Sequence, residues 1–299
     1  MSKKEMITNL ENKLILGDCL EILPKIPNKR FDLIIIDPPY NKKKGFKNDN
    51  YRKEQFLELF ENWINNIIPK LKNTGSFYCF IDDDLLYEFK QIIDKYLIFK
   101  RYLHWYKEAF TRSIIKNYED RIEYILFYTK SDKYTFNILR EKPTKSSIKR
   151  LSKYADEKGN IPYEKLTPYD QKKNKKENYD KNPRNIFRGA LQGNVFKIPT
   201  ATRGNNPDTL YGKHPTMKPS KLIEILIKTS SNIDDLVGDF FMGSGTTCIS
   251  ANKLRRKYFG IEIEPKYYEI AKRRLESEIF IKNEHGTYKK MKIWDYFKN

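Results

Sequence analysis

Cysteine is scarce and scattered: Cys19, Cys79 and Cys248 are the three in 299 residues, and none forms a C-x-x-C pair. That usage supplies neither a disulfide framework nor a thiolate zinc site, and it fits a reducing cytoplasm. No cysteine follows a proline, so the setting of a thiolate that attacks a cytosine ring carbon is missing as well. The histidines His104, His214 and His285 stand singly, which is the pattern of structural histidines and not of a ligand cluster. No metal is expected. Apolar runs fall far short of the roughly 20 residues that span a bilayer. The opening "MSKKEMITNLENK" lacks the apolar centre of a signal peptide. A soluble, cytoplasmic protein with no membrane partner is the expectation. Acid is the other shortage: 39 Asp and Glu stand against 58 Lys and Arg, a net charge of +19. Such an excess favours a polyanionic partner, nucleic acid first, although a solvated lysine-rich surface produces the same count.

Hydrophobic residues at 39% and aromatics at 14% suffice for a core, so global disorder is excluded. Short strands are expected at Lys13–Leu16 and at Phe31–Ile36, the second an unbroken apolar run suited to a parallel strand buried on both faces. A helix follows with Phe56, Leu59, Phe60, Trp63 and Ile67 at helical spacing, then a strand in "GSFYCFI", a helix in "DLLYEFKQIIDKYL" and strands in "FKRYLHWYK" and "RIEYILFYTKS". From Lys142 to Arg188 the text turns basic and polar, "KPTKSSIKRLSKYADEKGN…DQKKNKKENYDKNPRNIFR". It reads either as a disordered insertion or as a small module that touches phosphates, and the two are compatible. "GNVFKIPT" resumes strand-like text. From Ser220 the order is helix, strand, helix, strand, helix, a βαβ unit with a helix before it.

Two short stretches carry chemistry. In "DFFMGSGTT" a strand ends, Gly243 and Gly245 flank Ser244, and a helix begins. Glycines admit a ligand close to the backbone, and a helix N-terminus favours an anionic group. The acid closing the next strand, Glu262 with Glu264 behind it, is placed to accept ribose hydroxyls. No lysine follows the second glycine, which excludes a phosphate P-loop. In "FDLIIIDPPYN" the strand runs into Asp37-Pro38-Pro39-Tyr40. Two prolines make a stiff turn and remove backbone donors. The Asp37 carboxylate and the Pro38 carbonyl can then accept both hydrogens of an amino group, and Tyr40 offers a ring to stack on a flat base.

"DPPY" together with "FMGSGTT" resembles the S-adenosylmethionine-dependent amino-group DNA methyltransferases. The catalytic stretch precedes the glycine loop, as in the circularly permuted β group. "LILGDCLEIL" is similar to the family segment whose acid meets the cofactor adenine, here Asp18 with Cys19. "HPTMKP", with His214, Thr216, Lys218 and Pro219, is similar to the H-P-T-Q-K-P element beside the methionine part of the cofactor. "HWYKEAFTRS…EYILFYTKS" matches the segment after the catalytic half through Trp105, Lys107 and Glu123. The resemblance covers nearly all of the chain except Lys142–Arg188 and the tail after Glu276. It departs from the family at Gly238, at Asp239-Phe240-Phe241 where D-P-F is usual, and at Met217 in place of glutamine.

The resemblance implies an α/β, Rossmann-like methyltransferase sheet with helices on both faces. A catalytic half would span 1–141, a target-recognition insertion 142–192, and a cofactor half with the tail 193–299. It implies Asp37, Pro38, Pro39 and Tyr40 as catalytic. Asp18, Cys19, Asp37, His214, Thr216, Lys218, Pro219, Asp239, Phe241, Gly243, Ser244, Gly245, Thr246, Thr247 and Glu262 would hold the cofactor. Phosphate contacts are expected from Lys42, Lys43, Lys44, Arg150, Lys172, Lys173 and Arg184. The implied partners are double-stranded DNA at the nucleoid, a separately acting cognate endonuclease and a second copy of the chain. The implied reaction is methylation of adenine N6 on a flipped-out base, with cytosine N4 as the near alternative. A non-catalytic DNA-recognition subunit, or an RNA or protein amide substrate, fits the intact motifs less well.

Overall fold

The computed structural model describes residues 6–42, 51–107, 121–140, 143, 145–158, 160–166, 176, 192–201, 216–276, 278–282 and 288–292. Among these, eight strands form one sheet in the order β1-β8-β7-β2-β3-β5-β4-β6. They are β1 Lys13–Leu16, β2 Phe31–Ile36, β3 Leu71–Ile81, β4 Ile98–Lys107, β5 Ile122–Thr129, β6 Val195–Ile198, β7 Leu236–Asp239 and β8 Lys257–Glu262. β5 runs antiparallel to both of its neighbours, β3 and β4, and every other pairing is parallel. The sheet is thus the α/β, Rossmann-like arrangement implied by the sequence.

Helices cover both faces. On one, α1 Cys19–Ile22, α2 Lys53–Ile67 and α3 Leu86–Asp94 bury a core that includes Phe56, Phe60, Trp63, Ile67 and Phe89. Ile64 is buried where the helical spacing pointed to Leu59, which is only half-buried at the margin of this core. On the other face, α5 Ser220–Ser230 contributes Leu222, Ile223, Leu226 and Ile227, and α6 Thr246–Lys253 contributes Ala251. α7 Pro265–Glu276 packs against α6 around Met242, Cys248 and Ala271. β3 begins at Leu71, four residues before the strand read from "GSFYCFI", because Leu71 pairs with Phe31 at the start of β2. A hairpin of β9 Glu278–Lys282 and β10 Tyr288–Lys292 lies in the stretch read as a tail. None of the described helices is long and apolar enough to cross a membrane.

The chain divides into two compact units, one of residues 1–137 with 194–299 and one of 138–193. In the second unit, α4 Lys145–Ser152 and a 3-10 turn at Tyr163–Lys165 enclose Ile161 and Leu166, with Ile148, Leu151 and Tyr163 against them. The stretch read as a disordered insertion or a small module therefore carries an apolar cluster in its first half. "DQKKNKKENYDKN" lies outside the described residues except for Lys176.

The pairing that sets the site is β2 against β7, with Leu33 opposite Val237 and Ile34 opposite Gly238. β2 leads into α2 and β3 on one side, and β7 leads into α6 and β8 on the other, so the strand order reverses between them. Loops at the carboxyl ends of two such strands splay apart and leave a crevice. Gly238, a poor strand former by itself, is required there: a Cβ would lie 2.7 Å from Phe31 Cδ1 and 3.2 Å from Phe240 Cζ. Gly238→Ala should cost about 1–3 kcal/mol of stability through overpacking. Urea unfolding checks this, and an unchanged midpoint would show that the Phe31 ring gives way freely.

Candidate active site

Because β2 and β7 are neighbours, the turn after Ile36 and the turn after Asp239 open on one cavity of about 1180 Å³, mouth included. One end is built by Asp18 and Cys19, by the turn from Asp239 to Ser244, by Thr246 and Thr247 of α6, and by Glu262. The other end is built by Asp37 to Tyr40, Lys42, Phe80 and Thr216 to Lys218. Trp63 reaches the cavity from α2 and meets Phe241 edge to face at 4.9 Å.

At the glycine-loop end the backbone is held from below. Gly245 caps α6 with φ +81°, a left-handed conformation that glycine adopts without strain. A Cβ on it would lie 2.7 Å from Ala271 Cβ, so its missing side chain serves the packing of α7. Gly245 does not line the cavity, and neither does Pro219. The buried Arg274 donates to the Ser244 carbonyl at 2.7 Å and to the Ser244 and Thr246 hydroxyls, both at 3.2 Å. Nothing in the sequence spacing marks Arg274. Glu262 accepts from Gly243 N–H at 2.7 Å through one oxygen and from Glu264 N–H at 2.9 Å through the other. Burial raises its pKa against the pull of those amides. Asp18 caps α1 by accepting from Leu20 N–H at 2.9 Å.

Asp239 is buried and accepts from Phe241 N–H at 3.1 Å, with the Thr247 hydroxyl as a further donor. Burial lifts its carboxyl to about 7, opposed by those donors and helped by the nearby charges of Asp37 and Glu262. The cysteines are the reverse of nucleophilic. Burial pushes Cys19 up to about 12, and Cys79 and Cys248 well above their ordinary value.

At the other end the Asp37 carboxylate is gripped through both oxygens. The Tyr40 hydroxyl donates to Oδ1, and Lys218 Nζ donates to Oδ2 at 2.7 Å. Lys218 also binds Glu123 Oε1 at 2.7 Å, and the Tyr40 hydroxyl lies 3.2 Å from that same oxygen. Lys107 Nζ is 3.6 Å from Glu123 Oε2. Burial, then the charges of Asp37 and Glu123, push the Tyr40 phenol well above its ordinary value, so it remains a donor. Lys218 sits 5.5 Å from the Tyr40 ring centroid and 5.2 Å from that of Phe80, within cation–π range. Glu123 has no site role in the sequence reading beyond its match to the family segment. An acid within the apolar run "IEYILF" of a buried strand was the available signal.

Of the expected phosphate contacts, Lys42 lines the cavity and pairs with Asp82 at 2.6 Å and Asp84 at 3.1 Å. Arg150 is exposed on α4. Lys43, Lys44, Lys172, Lys173, Arg184 and His214 lie outside the described residues.

The raised Asp239 carboxyl predicts a pH signature. Between its ordinary value of 3.8 and about 7 the folded chain keeps a proton that the unfolded chain has lost. Stability from this group is therefore full below 3.8 and declines as pH rises towards 7. Asp239→Asn should remove that component. Thermal midpoints of the two proteins across this range should diverge in the variant's favour as pH rises, and a constant difference would refute the assignment.

A sequence profile, that of N6_N4_Mtase, described as DNA methylase, matches residues 31–273. The Type II methyltransferase M1.MboII of Moraxella bovis is 33% identical over 263 residues, covering 87% of this chain and 95% of its own. The DNA adenine methyltransferase YhdJ of Escherichia coli (strain K12) is 32% identical over 273 residues, covering 90% and 84%. Among solved structures, the cytosine-N4-specific PvuII DNA methyltransferase shares the fold with a TM-score of 0.61 at 19% identity, over 91% of this chain and 88% of its own. The strand order, the cavity between β2 and β7 and the match over most of the chain agree: the protein belongs to the DNA methylase family.

Proposed function

We propose that this chain transfers a methyl group from S-adenosylmethionine to the N6 amino group of an adenine flipped out of double-stranded DNA, as the modification partner of a restriction enzyme. The observation that carries the reading is the shared cavity. The Asp37-Pro38 turn and the glycine loop open on the same space from neighbouring strands.

The glycine-loop end suits a ligand that is cationic and rich in hydroxyls. Carboxylates of Asp18, Asp239 and Glu262 and hydroxyls of Ser244, Thr246 and Thr247 surround it, with aromatic faces of Phe241 and Trp63 beside them. When bound, S-adenosylmethionine supplies an electrophilic methyl on a positively charged sulfur. Glu262 would accept ribose hydroxyls with lone pairs left over from its two amide bonds. Asp18 and Cys19 would border the adenine. Gly243, Ser244, Thr246 and Thr247 would hold the remaining polar groups, with Gly245 shaping the turn. His214, Thr216 and Pro219 would support the wall beside the methionine part.

An adenine amino nitrogen is a weak nucleophile because its lone pair is delocalised into the ring. Asp37 and the Pro38 carbonyl would accept its two hydrogens and favour a tetrahedral nitrogen with the lone pair free. The carboxylate also offsets positive charge as it develops on that nitrogen. Pro39 keeps the turn stiff. Tyr40 would stack on the base, which must leave the duplex because its amino group is inaccessible within it. Lys42, Lys43, Lys44, Arg150, Lys172, Lys173 and Arg184 would contact phosphates.

Adenine is favoured over cytosine by the aspartate, in place of serine, at the first position of Asp37–Tyr40, and by a DNA adenine methyltransferase among the relatives. Nucleosides from DNA of cells expressing the protein should contain 6-methyladenine by mass spectrometry. Finding 4-methylcytosine alone would refute the adenine assignment. Asp37→Ala should lower methyl transfer by about 100- to 1000-fold while DNA binding persists, the loss expected when one preorganised polar group is removed.

A further inference from the structure

Lys218 was expected beside the cofactor, yet its charge is spent elsewhere. Its Nζ is shared between two carboxylates from separate elements, Asp37 after β2 and Glu123 on β5, at 2.7 Å each. All three groups are withdrawn from solvent: side-chain exposures are 7% for Lys218, 10% for Glu123 and 22% for Asp37. Burying an ion pair rarely adds net stability, because desolvation consumes most of the attraction. The cluster therefore calls for a reason beyond folding. Its geometry suggests one. Asp37 has a donor on each oxygen, the phenol on Oδ1 and the ammonium on Oδ2, so its plane cannot turn without breaking a bond. Glu123 anchors Lys218 through its Oε1, an oxygen that also lies 3.2 Å from the Tyr40 hydroxyl.

We propose that Lys218, anchored by Glu123, is a positioning residue for methyl transfer: it sets the plane of the Asp37 carboxylate so that the remaining lone pairs meet the target amine in one orientation. This rests on the reading of Asp37 as the amine acceptor. A carboxylate left to rotate would present its lone pairs in many directions, and small misplacement at a reacting group costs about 100-fold in rate. Burial works against the ammonium, but Asp37 and Glu123 outweigh it and hold Lys218 up at about 12. The cation thus persists at any working pH. The charged and titratable groups facing the cluster are Tyr40 from the same turn, Lys107 from β4, Cys79 from β3 and Asp239 from β7.

Four variants of the full-length chain test this with S-adenosylmethionine binding and single-turnover methylation of DNA. Lys218→Met should lower the single-turnover rate by about 100-fold. It should leave the dissociation constant for S-adenosylmethionine unchanged. Lys218→Arg should restore part of the rate. Should Lys218→Met not fold, the double variant K218M/E123Q removes one charge of each sign, and the same loss of rate at unchanged cofactor affinity is expected of it. A raised dissociation constant with a normal rate at saturation would overturn the inference and make Lys218 a cofactor ligand. A lowered rate with no rescue by arginine would overturn it as well. Asp37→Ala separates the two levels: wild-type turnover in that variant would remove the underlying role of Asp37, whereas loss of turnover there beside normal turnover in Lys218→Met would defeat only the role of Lys218.

Discussion

Everything about the site depends on two strands lying side by side. Asp32, at the start of β2, accepts from Leu236 N–H at 3.0 Å although 204 residues separate them, and it pairs with Lys72 of β3 at 2.7 Å. One acid thus joins three strands at their amino ends. Next to Asp32, the Phe31 ring lies over the bare backbone of Gly238 and meets Phe240 and Phe259 edge to face. With the two strands in register, their carboxyl ends are level, and the turns that follow face one another across a crevice. A shift of one residue would turn every side chain of β2 to the opposite face of the sheet. The turn at Asp37 and the glycine loop would then no longer share a cavity.

The two ends of that cavity solve the problem of buried polarity differently. At the glycine-loop end, acids meet neutral donors: Glu262 takes two backbone amides, and Asp239 takes an amide and a hydroxyl. No described ion pair discharges either of them, and the burial of Asp239 shows as a carboxyl raised to about 7. A cationic ligand arriving there meets acids that gain from its charge. At the Asp37 end, acids meet a cation, and Lys218 completes the balance within the protein. Charge at one end meets neutral donors, and at the other it is balanced within the protein. This division follows from which strand supplies which side chain. Lys218 precedes α5 on one face, while Glu123 arrives on the antiparallel β5.

Much of the fold was legible because the local signals agreed with the tertiary outcome. The apolar run of β2, the helical spacing of Phe56, Phe60, Trp63 and Ile67, and the strand–glycine–helix order at Gly243 to Thr246 each read correctly. The misreadings have physical causes. β3 extends back to Leu71 because a partner strand recruits polar residues that alone would read as a turn. The bare position of Gly245, before α6, is packed against Ala271 of α7, since a sequence shows that a side chain is absent but not which neighbour occupies the space. Arg274 was invisible: a basic residue late in an amphipathic helix looks like any solvated one until the packing of α7 turns it beneath the glycine loop.

By itself, the sequence determined the chemistry available: a stiff acidic turn with an aromatic, a glycine loop leading into a helix, an acid ending the strand after it, and cysteines in no reactive setting. Those are properties of residue types at short range, set by dihedral limits and hydrogen-bonding capacity. Tertiary structure alone decided which groups meet. Asp37, Glu123 and Lys218 come from three separated segments, and only the sheet order brings their charged atoms within 2.7 Å of one another's partners. Electrostatic coupling depends on distance and burial, and neither quantity exists along a one-dimensional chain.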